Sequence, residues 1–108
     1  KINKFNKQKF FEANIFQNKQ KNYYLLKNRK FNFLKDMPIF PMNEIPKIKF
    51  KKHLGKRINI KMSNMDMRIA IKMKNNLPDE RDGFFVNFKD LSNWTLPSFT
   101  KKILNSIK

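Results

Sequence analysis

From Arg57 to Lys74 the large apolar residues alternate with polar or small ones, in two runs. Ile58, Ile60 and Met62 alternate with Asn59 and Lys61; Met65, Met67, Ile69, Ile71 and Met73 alternate with Asp66, Arg68, Ala70, Lys72 and Lys74. A period of two puts every second side chain on one face, the pattern of a half-buried strand. The phase flips across Ser63-Asn64. A two-residue turn there sets Met62 opposite Met65, Ile60 opposite Met67 and Ile58 opposite Ile69, all on one face of a hairpin. The same alternation upstream, with Ile48 and Phe50 between Lys47, Lys49 and Lys51, predicts another strand. Downstream, Asp82-Gly83 ends a loop over 75–83 and launches a strand over Phe84 to Phe88. Ser98 then stands where it can cap a helix whose stripe is Phe99, Ile103, Leu104 and Ile107, with Lys101, Lys102 and Lys108 outside.

Residues 1–36 contain no Pro or Gly and mix Lys, Asn and aromatics. Phe11, Ile15 and Phe16 fit one helical face, so the segment reads as a helix over about Lys7 to Asn28 or as an arm that a partner orders. Pro38, Pro41 and Pro46 fix their own backbone and lack a donor, which makes 37–46 an extended connector. The expected organisation is a basic arm over 1–36, the connector over 37–46, and a small α+β domain over 47–108. That domain would hold a mainly antiparallel or mixed sheet with a C-terminal helix.

Charge sharpens this picture. The 108 residues carry 25 Lys and Arg against 8 Asp and Glu, a net charge of +17. Residues 1–62 hold 17 basic and 3 acidic side chains, while 63–108 hold 8 and 5. Such a chain repels itself and is suited to a polyanion, whose condensed counterions are released on binding. Nucleic acid fits best and an anionic membrane surface less well. Lys, Asn, Phe and Ile fill 59 positions, the bias of an A+T-rich genome; it explains the preference for Lys over Arg but not the scarcity of acids in one half only.

The densest cationic run is Lys47, Lys49, Lys51, Lys52, His53, Lys56, Arg57 and Lys61, with no acid among them. On a strand, Lys47, Lys49 and Lys51 would form a stripe about 13 Å long at ~3.3 Å per residue, able to follow phosphates. These eight residues are the candidate RNA-binding set. The usual fate of scattered Lys is a solubilising face, and the exclusion of acids favours binding over it.

Catalytic chemistry has no positive sign. His53, the one histidine, lies in the basic run with no acid within eight residues, a surface or RNA-facing position more than a general base. Asp79, Glu80 and Asp82 flank Arg81 without calcium-loop spacing. There is no cysteine, hence no thiolate metal site or disulfide, and neither a phosphate loop nor a nucleophile motif. No cofactor, metal or small-molecule substrate is expected. No apolar run nears the ~18 residues of a membrane span.

Residues 44–108 also resemble a known family. Ile45-Pro46-Lys47-Ile48-Lys49-Phe50, a basic pair, an Ile-rich strand, the strand from Met65 to Met73, a Gly-preceded strand at Gly83 and the closing helix are similar to the thioredoxin-like family. Its members are a small-subunit and a large-subunit mitochondrial ribosomal protein and an accessory subunit of respiratory complex I; the small-subunit member is nearest in element order. Residues 1–43 do not match the family's opening strand and helix, and Lys51-Lys52 stands where the family carries Asn-Pro. The resemblance implies a non-catalytic, rRNA-binding component of the mitochondrial ribosome, in the matrix, contacting rRNA and neighbouring ribosomal proteins. The alternative is a non-catalytic accessory or assembly subunit of a respiratory complex. A thioredoxin-like layout would separate the Ile58 and Met67 strands, whereas the phase flip pairs them.

Overall fold

The structure, a computed structural model, describes residues 7–62, 65–76, 83–87 and 96–107. Its elements run β1 (Lys7–Phe16), β2 (Tyr23–Lys27), β3 (Pro38–Ile39), β4 (Met42–Glu44), α1 (Lys47–Lys52), β5 (Arg57–Met62), β6 (Met65–Lys74), β7 (Gly83–Val86) and α2 (Ser98–Ile107). The chain divides into two compact units, Lys1–Ala13 with Met42–Lys72, and Asn14–Pro41 with Met73–Lys108. Strands and helices together make the expected small α+β protein.

The first unit is built on a sheet of order β4-β1-β6-β5. Its hairpin has the register that the apolar phase requires: Met62↔Met65, Ile60↔Met67 and Ile58↔Ile69, antiparallel. Ile60, Met67, Ile69 and Ile71 are buried, and Arg57, Asn59 and Lys61 are exposed. The turn residues Ser63 and Asn64 lie outside the described residues. The strands that a thioredoxin-like layout would hold apart are therefore hydrogen-bonded neighbours.

The segment over Lys7 to Asn28, read as a helix or as an arm that a partner orders, holds no helix: it forms the strands β1 and β2 with a turn between them. β1 sits between β4 and β6, pairing antiparallel with β4 at Phe11↔Glu44, Glu12↔Asn43 and Ala13↔Met42. Phe11, Ala13 and Ile15 are buried while Phe10, Glu12 and Asn14 are half-buried. A strand covered on both faces carries apolar residues on both phases, and the adjacent pairs Phe10-Phe11 and Ile15-Phe16 then imitate a helical stripe.

A second correction concerns Lys47 to Lys52, which form one and a half turns of helix and not a strand. Pro46 precedes the helix with extended backbone (φ −69°, ψ 154°). Its carbonyl accepts from Phe50 N at 3.2 Å, and Phe50 O accepts from His53 N at 3.2 Å. Phe50 is buried against Ile45, Ala70 and Phe10, whereas Ile48, which a strand would bury with it, is 63% exposed. Lysines outnumber other residues so heavily here that any spacing of two apolar residues alternates with them. Lys49, Lys51 and Lys52 in the last turn also suit the helix dipole.

The second unit holds the sheet β3-β2-β7. β7 pairs antiparallel with β2 from Tyr23↔Val86 to Leu26↔Gly83, so the expected strand after Gly83 forms and stops before Asn87. The Tyr24 hydroxyl accepts from Gly83 N at 2.9 Å, and a Cβ at Gly83 would come within 2.5 Å of the Leu25 carbonyl; only glycine allows this approach. The loop 75–83 and its acids fall outside the described residues, apart from Asn75, Asn76 and Gly83.

Between β2 and β3 the chain is organised by Asn28, which is fully buried. Its amide donates to the Phe33 and Leu34 carbonyls and its Oδ1 accepts from Lys30 N and Phe31 N. That ring of bonds holds Leu34 and Asp36 at φ 51° and 63°, in the left-handed region. The proline segment contributes the short strands β3 and β4 and side chains to the core. Among the described residues β3, which contains Pro38, has one strand neighbour, where a missing N–H is tolerated, and Ile39, Phe40 and Met42 are buried. α2 buries Phe99, Ile103 and Leu104, leaves Lys101 and Lys102 exposed, and donates from Thr100 Oγ1 to the Pro38 carbonyl at 2.7 Å.

Candidate nucleic-acid interface

Helical geometry redistributes the expected stripe. Lys47 and Lys51, four apart, fall on one side of α1, and Lys49 falls on the other side of Phe50. Lys49 Nζ lies 3.9 Å from Glu12 Oε2, a carboxylate that Lys72 Nζ also approaches at 4.0 Å. Lys47, Lys49, Lys51 and Lys52 are all exposed, but they do not form a single line.

Within the first unit, Lys47 and Lys51 border a cavity of about 450 Å³. Phe10, Phe50 and Ile58 give it apolar walls, Gln8 and Asn59 contribute amides, and Arg57 and Arg68 bring its cations to four. No acidic residue lines it. The Phe10 and Phe50 rings meet with centroids 5.1 Å apart, tilted by 53°. The Arg57 guanidinium lies over the Phe50 ring at 5.6 Å and donates from Nη1 to the Lys51 carbonyl at 3.4 Å. Arg68 is fixed from two sides: Nη2 is 3.6 Å from Asp66 Oδ2, and the Gln8 amide, turned with its oxygen towards the guanidinium, accepts from Nε and Nη2 at 2.9 and 3.2 Å.

The remaining candidates separate. His53 ends α1, and its Nε2 donates to the Ile71 carbonyl at 2.9 Å, so one ring nitrogen is committed to the protein itself. Lys56 is exposed and its backbone carbonyl accepts from Ile71 N at 2.8 Å. Lys61 is exposed on β5, opposite Asp66 in register. The structure thus brings Lys47, Lys51 and Arg57 together around one hollow and leaves Lys49, Lys52, Lys56 and Lys61 on the surrounding surface.

Reading the sequence missed Gln8, Phe10, Asn59 and Arg68 as parts of this site, and Phe50 and Ile58 as parts of its wall. Two of these carried a signal. The hairpin register puts Asn59 opposite Arg68, on the face away from Ile60 and Met67, so a second arginine beside Arg57 follows from the predicted pairing. Gln8 and Phe10 carried none, because β1 had not been recognised as a strand.

Among the described residues no group of three His, Cys, Asp or Glu stands together as a metal site, and no helix is long and apolar enough to cross a membrane. Comparison with models of known protein families and with curated protein sequences finds no match.

Proposed function

We propose that this protein binds structured RNA through the surface formed by α1, the start of β5 and Arg68, as a non-catalytic component of a ribonucleoprotein. The observation that carries the reading is the concentration of Lys47, Lys51, Arg57 and Arg68 around an acid-free hollow, within a chain of net charge +17. Lysine and arginine side chains set on secondary structure engage phosphate oxygens by position, without reading sequence. The surrounding Lys49, Lys52, Lys56 and Lys61 extend the positive field and speed encounter with a polyanion. Arginines suit the interior of such a site, because a planar guanidinium pairs with phosphate through two bonds and also stacks.

The ribonucleoprotein we name is the mitochondrial ribosome, the assembly to which the resemblance of residues 44–108 points, with rRNA and adjoining ribosomal proteins as partners. The charge supports it over the respiratory-complex alternative, since a subunit of net +17 needs an anionic neighbour. Sedimentation of native particles tests the assignment. The protein is expected to travel with ribosomal subunits, in an RNase-sensitive manner. Migration with membrane complexes after RNase treatment would contradict it.

A further inference from the structure

The hollow beside α1 has a size and a lining that phosphate contact alone does not call for. We propose that it receives one unpaired nucleotide of the bound RNA, with the base against the apolar walls and the phosphates on the cations. This rests on the RNA-binding reading above and adds a ligand class and a site to it.

Size comes first. The cavity measures about 450 Å³, within the range of ~300–1,000 Å³ typical of small-molecule and cofactor sites. A lone phosphate would occupy a fraction of that volume, and a duplex cannot enter it. The lining then selects the chemistry. Phe10, Phe50 and Ile58 provide apolar surface next to four cations, one of which, Arg68, is paired with Asp66, and no acid lines the space. A bare anion makes no use of the aromatic wall, and an apolar ligand strands the cations. A nucleotide satisfies both, since it joins a flat, weakly polar ring system to a charged phosphate. An acidic peptide would satisfy the cations but brings no flat ring for the wall.

The base must be unpaired. In A-form helices the base faces are stacked away and the major groove is too narrow for side chains, so bases are recognised in loops and bulges, against aromatic rings or guanidinium planes. Both surfaces are present: Phe10 is half-buried, not sealed, and the Arg57 guanidinium already lies over an aromatic ring. The Gln8 oxygen is taken by Arg68 and the Asn59 nitrogen by Asp66 and the Met67 carbonyl, which leaves the Gln8 nitrogen and the Asn59 oxygen to offer one donor and one acceptor to a base edge. Arg68, held by Gln8 and Asp66, is oriented before any ligand arrives.

The test uses the full chain and two hairpin RNAs that differ only in whether a single 2-aminopurine is bulged or paired. The variant Asn59→Met narrows the hollow from an exposed strand position with no aromatic face of its own and keeps all four cations, and Asn59→Leu does so if Asn59→Met fails to melt cooperatively. The bulged RNA should bind roughly fivefold or more tightly, the low end of what one stacked base contributes, with a change in 2-aminopurine emission. The filled variant should lose this preference and keep its affinity for the paired RNA. Equal affinity for the two RNAs with unchanged emission, or a preference that survives filling, overturns the nucleotide site while leaving RNA binding intact. So does an acidic peptide that displaces the bulged RNA at charge-matched concentration and is itself excluded by Asn59→Met. If the wild-type chain bound neither RNA at low salt, the RNA-binding reading itself would fall.

Discussion

Lys49 and Glu12 approach to 3.9 Å on the side of Phe50 opposite Lys47 and Lys51. Glu12 is the acid of β1, its side chain 12% exposed, and it lies near Lys72 as well. One strand carboxylate thus attracts two cations, while the lysines one turn apart on α1 border the cavity.

This asymmetry separates three lysines that the sequence treats alike. Replacing Lys47 and Lys51 together by Gln should lower the salt dependence of RNA affinity by nearly two powers of salt, at roughly 0.9 per phosphate contact. Lys49→Gln should change it by about half a power or less, because Glu12 competes for that ammonium. Gln and Lys have similar helix propensities, so α1 should persist. A change of about 0.9 for Lys49→Gln, half that of the double variant, in salt titrations followed by anisotropy, would return the three lysines to one undivided face.

Deleting residues 1–16 should abolish the cooperative thermal transition. β1 lies between β4 and β6 and contributes buried Phe11, Ala13 and Ile15, so its loss removes an interior strand and leaves β6 with an unpaired edge. A truncated chain that melted like the intact one would show that this segment is a separable arm.

Asn28 is a test of the loop between β2 and β3. Asn28→Ala removes both amide donors and the acceptor serving Lys30 N and Phe31 N, at an expected cost of about 2–3 kcal/mol in urea unfolding. Asn28→Asp should cost more, since a carboxylate oxygen would face the Phe33 and Leu34 carbonyls. Coincident unfolding curves for wild type and Asn28→Ala would contradict this account of the loop.

The β5–β6 pairing could be read because two physical signals agree there: alternation fixes the buried face, and the phase flip fixes the register. Ile69, fully buried, marks that face. Ile69→Val should cost about 1 kcal/mol, and Ile69→Asp should prevent folding, because it buries a charge with no partner; an unchanged melt for Ile69→Asp would put the core on the other face. α2 was legible for a similar reason, its stripe from Phe99 to Leu104 having one period only. β1 and α1 were not. In β1 apolar residues occupy both phases, and in α1 Ile48 and Phe50 alternate with lysines whatever the local structure. Tertiary packing decides both: strand neighbours on either side of Phe11, and the contact of Phe50 with Ile45 and Ala70. The cationic run was visible from charge alone, but the aromatic wall beside it depends on Phe10 and therefore on β1.

The most direct test of the account is the salt dependence of binding between the full chain and a structured RNA. Lys47, Lys51 and Arg57 border the cavity beside Arg68, which Asp66 already pairs at 3.6 Å, and exposed Lys52, Lys56 and Lys61 adjoin them in sequence. Engagement of at least four phosphates predicts that log affinity falls linearly with log salt at a slope of about −3.5 or steeper. A slope near zero, or affinity unchanged by removing the cations at 47, 51 and 57 together, would contradict the claim that this surface binds RNA phosphates.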